Sequence, residues 1–380
     1  MWKIRDGHIF TLHSQAEIHK NKVSSIESEK KARTRQTRMK LLVAIVNYRV
    51  ADLAIDCLHS VAQEIGRVPG CCVAVCENGS GDDSAERIQK AIDDSGWGAW
   101  CALTVSSANL GFTGGNNAIL RPAMEWADPP QYFLLLNPDT IVRSNAFKAL
   151  VDFMDGNPKV GIAGSRLEDP DGTPQPSAFR FPTPVGEFEG NIKIGVLTRL
   201  LALWAVAPPA LDQTSETDWI PGASMIIRRE VLRDVGLLDE GYFTYFEDVD
   251  FCFNARKAGW STWYVPASRV VHLVGQSTGI TIKTAQRRPS YALQARRRYY
   301  LKNHSRLYAA MADAALIIGC ALGRLRFMLT GKEGFTVPHF LSDSIRHSVF
   351  LAGFKLENVG DPALTSQVVE TKTATLADAP

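Results

Sequence analysis

The sequence predicts an α/β fold with a mixed, mostly parallel sheet covered by helices on both faces. Two observations carry the prediction. Leu41–Asn47, Cys71–Cys76 and Tyr132–Leu136 are continuous apolar runs, as expected of strands buried on both faces. Between them lie segments with helical spacing, Asp52–Glu64, Ser84–Asp94 and Asn116–Trp126, and repeated strand–helix units imply parallel pairing. Cys101–Val105 adds a strand before the third helix, and Asn145–Met154 and Val160–Ala163 continue the alternation.

The rhythm changes after Gly164. Asp169-Pro170-Asp171-Gly172 signals a turn within a hairpin. The Pro- and aromatic-rich stretch Pro174–Gly190 reads as irregular, Ile192–Val206 as helical, and Trp219–Ile227 as a strand opening on Pro221-Gly222. Glu247–Lys257 has helical spacing and stops at Gly259. Thr262–Val265 and Arg269–His272 read as two short strands, and Ser290–Leu329 as mostly helical. The expected organisation is a basic, disordered leader over 1–39, the sheet domain over 40–280, a helical basic extension over 281–355, and a disordered tail over 356–380. Met39-Lys40, directly before the first strand, also offers an alternative start.

The net charge of +2 hides two basic patches. Lys30, Lys31, Arg33, Arg35, Arg38 and Lys40 precede the first strand. Arg287, Arg288, Arg296, Arg297, Arg298, Lys302 and Arg306 fall in a stretch, Gly279 to Ala312, without Asp or Glu. Such patches attract phosphate-rich partners. Nucleic acid is not expected, because no aromatic platform is interleaved with the cations. Leu307–Gly323 carries Asp313 and falls short of the ~20 apolar residues a membrane span needs. Following a basic run, it suits a helix lying on an anionic membrane surface; the alternative is an ordinary core helix, with the arginines on its solvated side or bound to a diphosphate. No secretory signal is visible, and seven cysteines without a metal-type Cys-x-x-Cys pair fit a reduced compartment. The expected location is cytoplasmic, at the inner face of the cell membrane.

The chemistry-bearing residues fall at strand ends. Open α/β sheets bind ligands at the carboxyl rim. Asn47 ends the first strand there, and Glu77 and Asn78 end the second, where Glu77 is placed to accept hydrogen bonds from a base or ribose. Asn109-Leu110-Gly111-Phe112-Thr113-Gly114-Gly115-Asn116-Asn117 is a glycine-rich loop running into a helix, suited to close backbone approach and to an anion at the helix start. It is neither the dinucleotide fingerprint nor a phosphate-binding loop ending in Gly-Lys-Ser/Thr. Asn137-Pro138-Asp139 ends an apolar strand abruptly, and Asp139 is the only carboxylate on its loop. One carboxylate plus substrate phosphates is a usual way to hold Mg²⁺, and the imidazole of His272 makes Mn²⁺ a reasonable occupant. Tyr245-Phe246-Glu247-Asp248-Val249-Asp250 sets acids among aromatics; Glu247 and Asp248 are either plain helix-start acids favoured by the dipole or, beside those aromatic walls, a carboxylate poised to take a proton from a hydroxyl.

On Asn109–Asn117, Asn137-Pro138-Asp139, Trp219-Ile220-Pro221-Gly222-Ala223 and Phe246-Glu247-Asp248-Val249-Asp250, in that order, Val43–His272 resembles the inverting nucleotide-sugar-dependent glycosyltransferases of family 2, with the GT-A fold. The closest likeness is to the rhamnosyltransferase-like branch, shared with galactofuranosyltransferases. The resemblance implies Asp248 as catalytic base, and Asp139 with His272 as ligands of Mg²⁺ or Mn²⁺. It implies a nucleotide-diphospho-sugar contacted by Asn47, Glu77, Asn78, Asn109, Gly111, Gly114, Gly115, Asn116, Asn137 and Asp139. Glu77 stands where the family usually has Asp. Trp219, Gly222 and Glu247 are expected on the side of a glycan or lipid-linked acceptor in cell-envelope polysaccharide synthesis. The implied activity is transfer of L-rhamnose from dTDP-rhamnose. The rivals are galactofuranosyl transfer and a catalytically silent sugar-nucleotide- or glycan-binding protein on the same fold.

Overall fold

The computed structural model describes residues 39–192, 194–209, 212–273, 287–331 and 337–360, and the backbone of 372–373. The basic leader before Met39 and most of the tail after Gly360 therefore lie outside the described residues. The strands are β1 (Leu41–Asn47), β2 (Cys71–Asn78), β3 (Cys101–Ser106), β4 (Tyr132–Leu136), β5 (Thr140–Val142), β6 (Val160–Glu168), β7 (Ser215–Thr217), β8 (Ser224–Arg228), β9 (Ser261–His272) and β10 (Lys372–Thr373). The helices are α1 (Ala51–Ile65), α2 (Ser84–Asp94), α3 (Gly111–Met124), α4 (Ala146–Gly156), α5 (Pro184–Ile192), α6 (Gly195–Leu200), α7 (Arg229–Val235), α8 (Glu247–Lys257), α9 (Ser290–Asn303), α10 (Arg306–Thr330), α11 (Phe340–Arg346) and α12 (Val349–Ala352).

The sheet runs β10-β3-β2-β1-β4-β8-β6-β9-β5, with β7 also on β9. β1 pairs in parallel with β2 and β4, and β2 with β3. β8 enters antiparallel to both β4 and β6. Alternation along β1 divides the core: Leu41, Val43 and Ile45 pack with Leu58, Ile88, Phe147 and Leu150 of α1, α2 and α4. Leu42 and Ala44 face Leu120, Val231 and Phe251 of α3, α7 and α8 on the other side. Cys72 and Cys76 pack in β2 as small hydrophobes, and burial pushes their thiols up to about 12.

Several elements differ from the sequence expectation. The two short strands near residue 265 are one strand, β9, whose pairing with β6 shifts register between Ser165 and Arg166. Pro266 falls at this irregularity, where the missing N–H is tolerated. The strand expected from Trp219 begins only at Ser224, because Pro221-Gly222 interrupts pairing; Trp219 instead bridges Phe179. The stretch expected to be irregular to Gly190 contains α5, which starts with Pro184 at its first position and Thr183 Oγ1 accepting the Gly186 N–H at 3.0 Å. The helix expected over 192–206 breaks into the short α6 and a 3₁₀ turn, Ala202–Trp204. Within the tail, Val359 is buried with its N–H bonded to Gly241 O at 2.7 Å, and Lys372–Thr373 pair antiparallel with β3.

The largest correction concerns the second basic patch. Arg296 reaches Glu187 and Asp313, Arg297 reaches Glu357, and Arg298 makes a two-pronged contact with Asp239; all three side chains are buried. Arg287 pairs with Asp343, and Lys302 with Asp239 and Asp250. Arg296, Arg297 and Arg298 are thus consumed inside the protein and are not part of a surface for anionic lipid, while Arg287 is exposed but paired, and Arg288 and Arg306 stay exposed. Also, α10 runs to Thr330, well beyond Gly323, and ends on Gly331 in the left-handed conformation.

Candidate active site

The carboxyl rim is assembled by register. Asn47 lies opposite Glu77, and Leu136 opposite Ile45, so the residues following β1, β2 and β4 emerge together. The turn after β4 is fixed by Asn137 N–H to Ala223 O and by Thr140 Oγ1 to Asn137 O. β5 then pairs with β9, setting Thr140 opposite His272. This carries His272 Nε2 to 3.5 Å from Asp139 Oδ1 and 3.4 Å from Asn137 Nδ2. Two cis ligands with bonds of about 2.1 Å to one ion sit roughly 3 Å apart, so this pair fits a divalent cation. Among the described residues no group of three or more His, Cys, Asp or Glu side chains converges. A cation held here would have these two side chains as ligands and would need its remaining ligands from elsewhere; one or two protein ligands completed by phosphate and water is a usual pattern for Mg²⁺.

The acidic segment opens α8. Tyr245 and Phe246 both have positive φ, 72° and 67°, which is uncommon for non-glycine residues and stores strain immediately before Glu247. Asp248 accepts hydrogen bonds from Val249 N at 2.8 Å and Gly222 N at 3.3 Å. Burial outweighs these bonds and pushes its carboxyl up to about 6. Glu247 is also buried, its Oε2 has no hydrogen-bond partner among the described residues, and burial together with the Asp248 charge pushes its carboxyl well above the usual range. Asp250 has a different job: it binds Tyr242, Lys302 and Asn303, tying α8 to α9.

The glycine-rich segment is built differently from the expected loop. α3 begins at Gly111, so Gly114, Gly115 and Asn116 are helical. A Cβ on Gly115 would lie 2.6 Å from Val46 Cγ1, which makes this glycine the contact between α3 and β1. Gly111 has φ +70°, and a Cβ there would lie 2.2 Å from Phe243 O. Asn78 holds the entry to the helix, donating to Asn109 Oδ1 and Gly111 O and accepting from Leu110 N. Glu77 accepts from Ser80 N at 2.9 Å and so braces its own turn. Asn47 is fully buried, and neither of its side-chain polar atoms has a partner among the described residues.

These elements enclose a cavity of about 1190 Å³. Asn78, Asn109, Gly111, Asn137, Asp139, Trp219, Gly222, Glu247, Asp248 and His272 line it. Asn47, Glu77, Gly114, Gly115 and Asn116 do not; they lie behind the wall. Trp219 stacks on Phe179 at 4.3 Å and donates from its ring N–H to Arg180 O, so its orientation is fixed. Sequence reasoning missed Gly186, Glu187, Glu189, Gly190 and Asn191 of α5, which line the cavity, and gave no site role to Phe112, Phe243 and Arg288, which line it too. Arg288 is exposed, stands 4.8 Å from the Phe340 ring centroid, and has no carboxylate partner among the described residues. Its signal was present in the basic run, where it was indistinguishable from the paired arginines.

Residues 38–292 match the family described as "Glycosyltransferase like family 2". The chain is 27% identical over 292 residues to N-acetylglucosaminyl-diphospho-decaprenol L-rhamnosyltransferase of Mycobacterium tuberculosis, covering 73% of this chain and 85% of the relative. It is 25% identical over 174 residues to Rhamnosyltransferase WbbL of Escherichia coli K12, covering 44% and 62%. Among solved structures, GalNAc-T7 with UDP, GalNAc and Mn²⁺ superposes with a TM-score of 0.50 at 14% identity, over 82% of this chain and 55% of that one, a likeness of fold.

Proposed function

The chain belongs to the family 2-like glycosyltransferases, and from that premise we propose that it moves L-rhamnose from dTDP-rhamnose to a hydroxyl of a lipid-linked glycan, inverting the anomeric centre. The work would take place at the inner face of the cell membrane, in cell-envelope polysaccharide synthesis. The observation that carries the reading is a pair of unlike carboxylate environments on one cavity. Asp139 lies beside an imidazole, whereas Asp248 is held by backbone N–H groups with its carboxyl raised to about 6. A base of that strength suits proton abstraction near neutral pH.

In this reading Asp248 takes the acceptor's hydroxyl proton as that oxygen attacks the anomeric carbon. The new C–O bond forms on the face opposite the breaking bond to the nucleoside diphosphate, through an oxocarbenium-like transition state. Asp139 and His272 hold Mg²⁺ or Mn²⁺, which when bound supplies counter-charge to the leaving diphosphate. Arg288 provides a guanidinium for the same phosphates. Asn78, Asn109 and Gly111 face the nucleotide; Trp219, Gly222 and Glu247 face the acceptor. Asn47, Glu77, Gly114, Gly115 and Asn116 support that surface from behind.

The test uses the full chain with dTDP-rhamnose and a short-chain diphospho-N-acetylglucosamine acceptor in Mg²⁺ or Mn²⁺. Release of dTDP with an inverted glycosidic product supports the proposal. Transfer only from UDP-galactofuranose would replace the donor. Nucleotide binding by thermal shift without transfer from either donor would favour a silent binder.

A further inference from the structure

The helix α10 is amphipathic the wrong way round for a soluble protein. Its buried face is made mostly of small residues, Ala309, Ala312, Gly319 and, close against the α5 backbone, Gly323, with Leu316 the one large apolar side chain fully buried. A Cβ on Gly319 would lie 2.9 Å from Phe188 O, and one on Gly323 2.7 Å from Asn191 O, so the two helices touch at backbone distance. Most of its large side chains point outward. Leu307, Met311, Ile318, Leu322, Leu325 and Leu329 are all exposed, Leu329 by 77%. At about 100° per residue these six fall within an arc of about 60°. Beside α5, the turn after α6 exposes Leu203 by 75%, with Leu200 and Trp204 also open. A patch of this kind marks an interaction site.

Charge identifies the occupant. Residues 194–208 and 314–331 contain no Asp or Glu, and two cations are exposed there, Arg199 next to Leu200 and Arg324 on the flank of the stripe. The single acid of α10, Asp313, is buried against Arg296 and the Val349 N–H. The same elements also line the cavity, through Asn191, Thr198 and Leu316. α10 meets the length and composition of a membrane span, with 28% of its apolar window buried. One side is committed to α5 and one polar anchor to α9, so only the opposite side can meet lipid.

We propose that the outward stripe of α10 and the α6 turn form a face that lies in the surface of an anionic bilayer, with the cavity opening beside it. The link to the cavity rests on the transferase reading; the docking itself does not.

The test is flotation of the full chain with phosphatidylcholine vesicles, with and without phosphatidylglycerol, at low and high salt and without donor or acceptor. We expect binding to phosphatidylglycerol vesicles that weakens with salt. The triple variant Leu322→Gln, Leu325→Gln, Leu329→Gln should bind at least tenfold more weakly while melting at the same temperature. No binding by the parent, or equal binding by the variant, overturns the proposal. So does a dimer that the triple variant dissolves, which would mean a second copy covers the stripe. A lower melting temperature of the variant without vesicle binding by the parent would mean the chain's own remaining residues cover it, and also overturns it. Vesicle binding is read without turnover, so its failure leaves the transferase reading standing, and the reverse holds.

Discussion

Asp248→Asn separates the base from its neighbourhood in a single side chain. In the parent, burial raises the carboxyl from 3.8 to about 6. Two pH units at 1.36 kcal/mol each make ionisation cost up to ~3 kcal/mol of folding stability, discounted to ~2 because the group faces a partly open cavity. The sign follows from proton count. Between pH 3.8 and about 6 the folded state holds the proton more tightly than the unfolded state, so parent stability falls as pH rises through that window and is level above it. Asparagine never ionises and escapes that cost, but its one oxygen can accept from only one of Gly222 N and Val249 N, a loss of ~1 kcal/mol. The variant should therefore be ~1 kcal/mol more stable than the parent at pH 7.5 and ~1 kcal/mol less stable near pH 4. Thermal melts across that range measure the crossing, on the order of a few degrees for a domain of this size. Turnover should fall by ~10²-fold or more with nucleotide binding retained, and parent activity should decline as pH drops through about 6. A stability difference that is flat in pH refutes the ionisation argument, and near-normal turnover refutes the assignment of the base.

Asp139→Ala should weaken metal-dependent nucleotide binding and transfer; a variant as active and as chelator-sensitive as the parent removes Asp139 from the ligand set. Gly111→Ala meets both a left-handed backbone and a 2.2 Å approach to Phe243 O, so it should cost ~1–3 kcal/mol in denaturant unfolding and lower donor affinity. Asp313→Asn leaves Arg296 short of a buried partner and should destabilise by ~3 kcal/mol or more, whereas loss of an exposed pair such as Lys90–Asp94 should leave the denaturant midpoint nearly unchanged. Asn47→Ala removes two buried, unpartnered polar groups and should leave the fold equally or more stable; a loss of several kcal/mol would mean those groups are satisfied after all.

Much of this was legible because its signals are local. β1, β2 and β4 announce themselves as unbroken apolar runs, and Asn137-Pro138-Asp139 marks the rim because a buried strand stops there. His272 was visible as a strand end, although its approach to Asp139 depends on the pairing of β5 with β9, more than a hundred residues apart in sequence. What stayed hidden is set by distant partners. Arg296, Arg297 and Arg298 look like a solvent-facing cluster until Glu187, Asp239 and Glu357 arrive from other elements. Gly114 and Gly115 look like a loop because glycine lowers helix propensity, yet the small size of Gly115 is what lets α3 lie against β1, and that of Gly114 makes room for Leu110. Leu307–Leu329 carries the periodicity of a core helix, and nothing in the sequence says which face is turned inward.

The contacts between α9 and the sheet domain bear on how separable the C-terminal segment is. Three of its residues, Arg296, Arg298 and Lys302, neutralise Glu187, Asp239 and Asp250 across a chain distance of 50 residues or more, and Tyr299 packs with Val249, one position from Asp248. A chain cut near residue 280 would strand those carboxylates without counter-charge and open the aromatic layer under α8. The segment is not a cassette that can be trimmed or exchanged among relatives by matching lengths: a donor segment must bring cations to the same three acids, or the recipient must lose the acids at the same time.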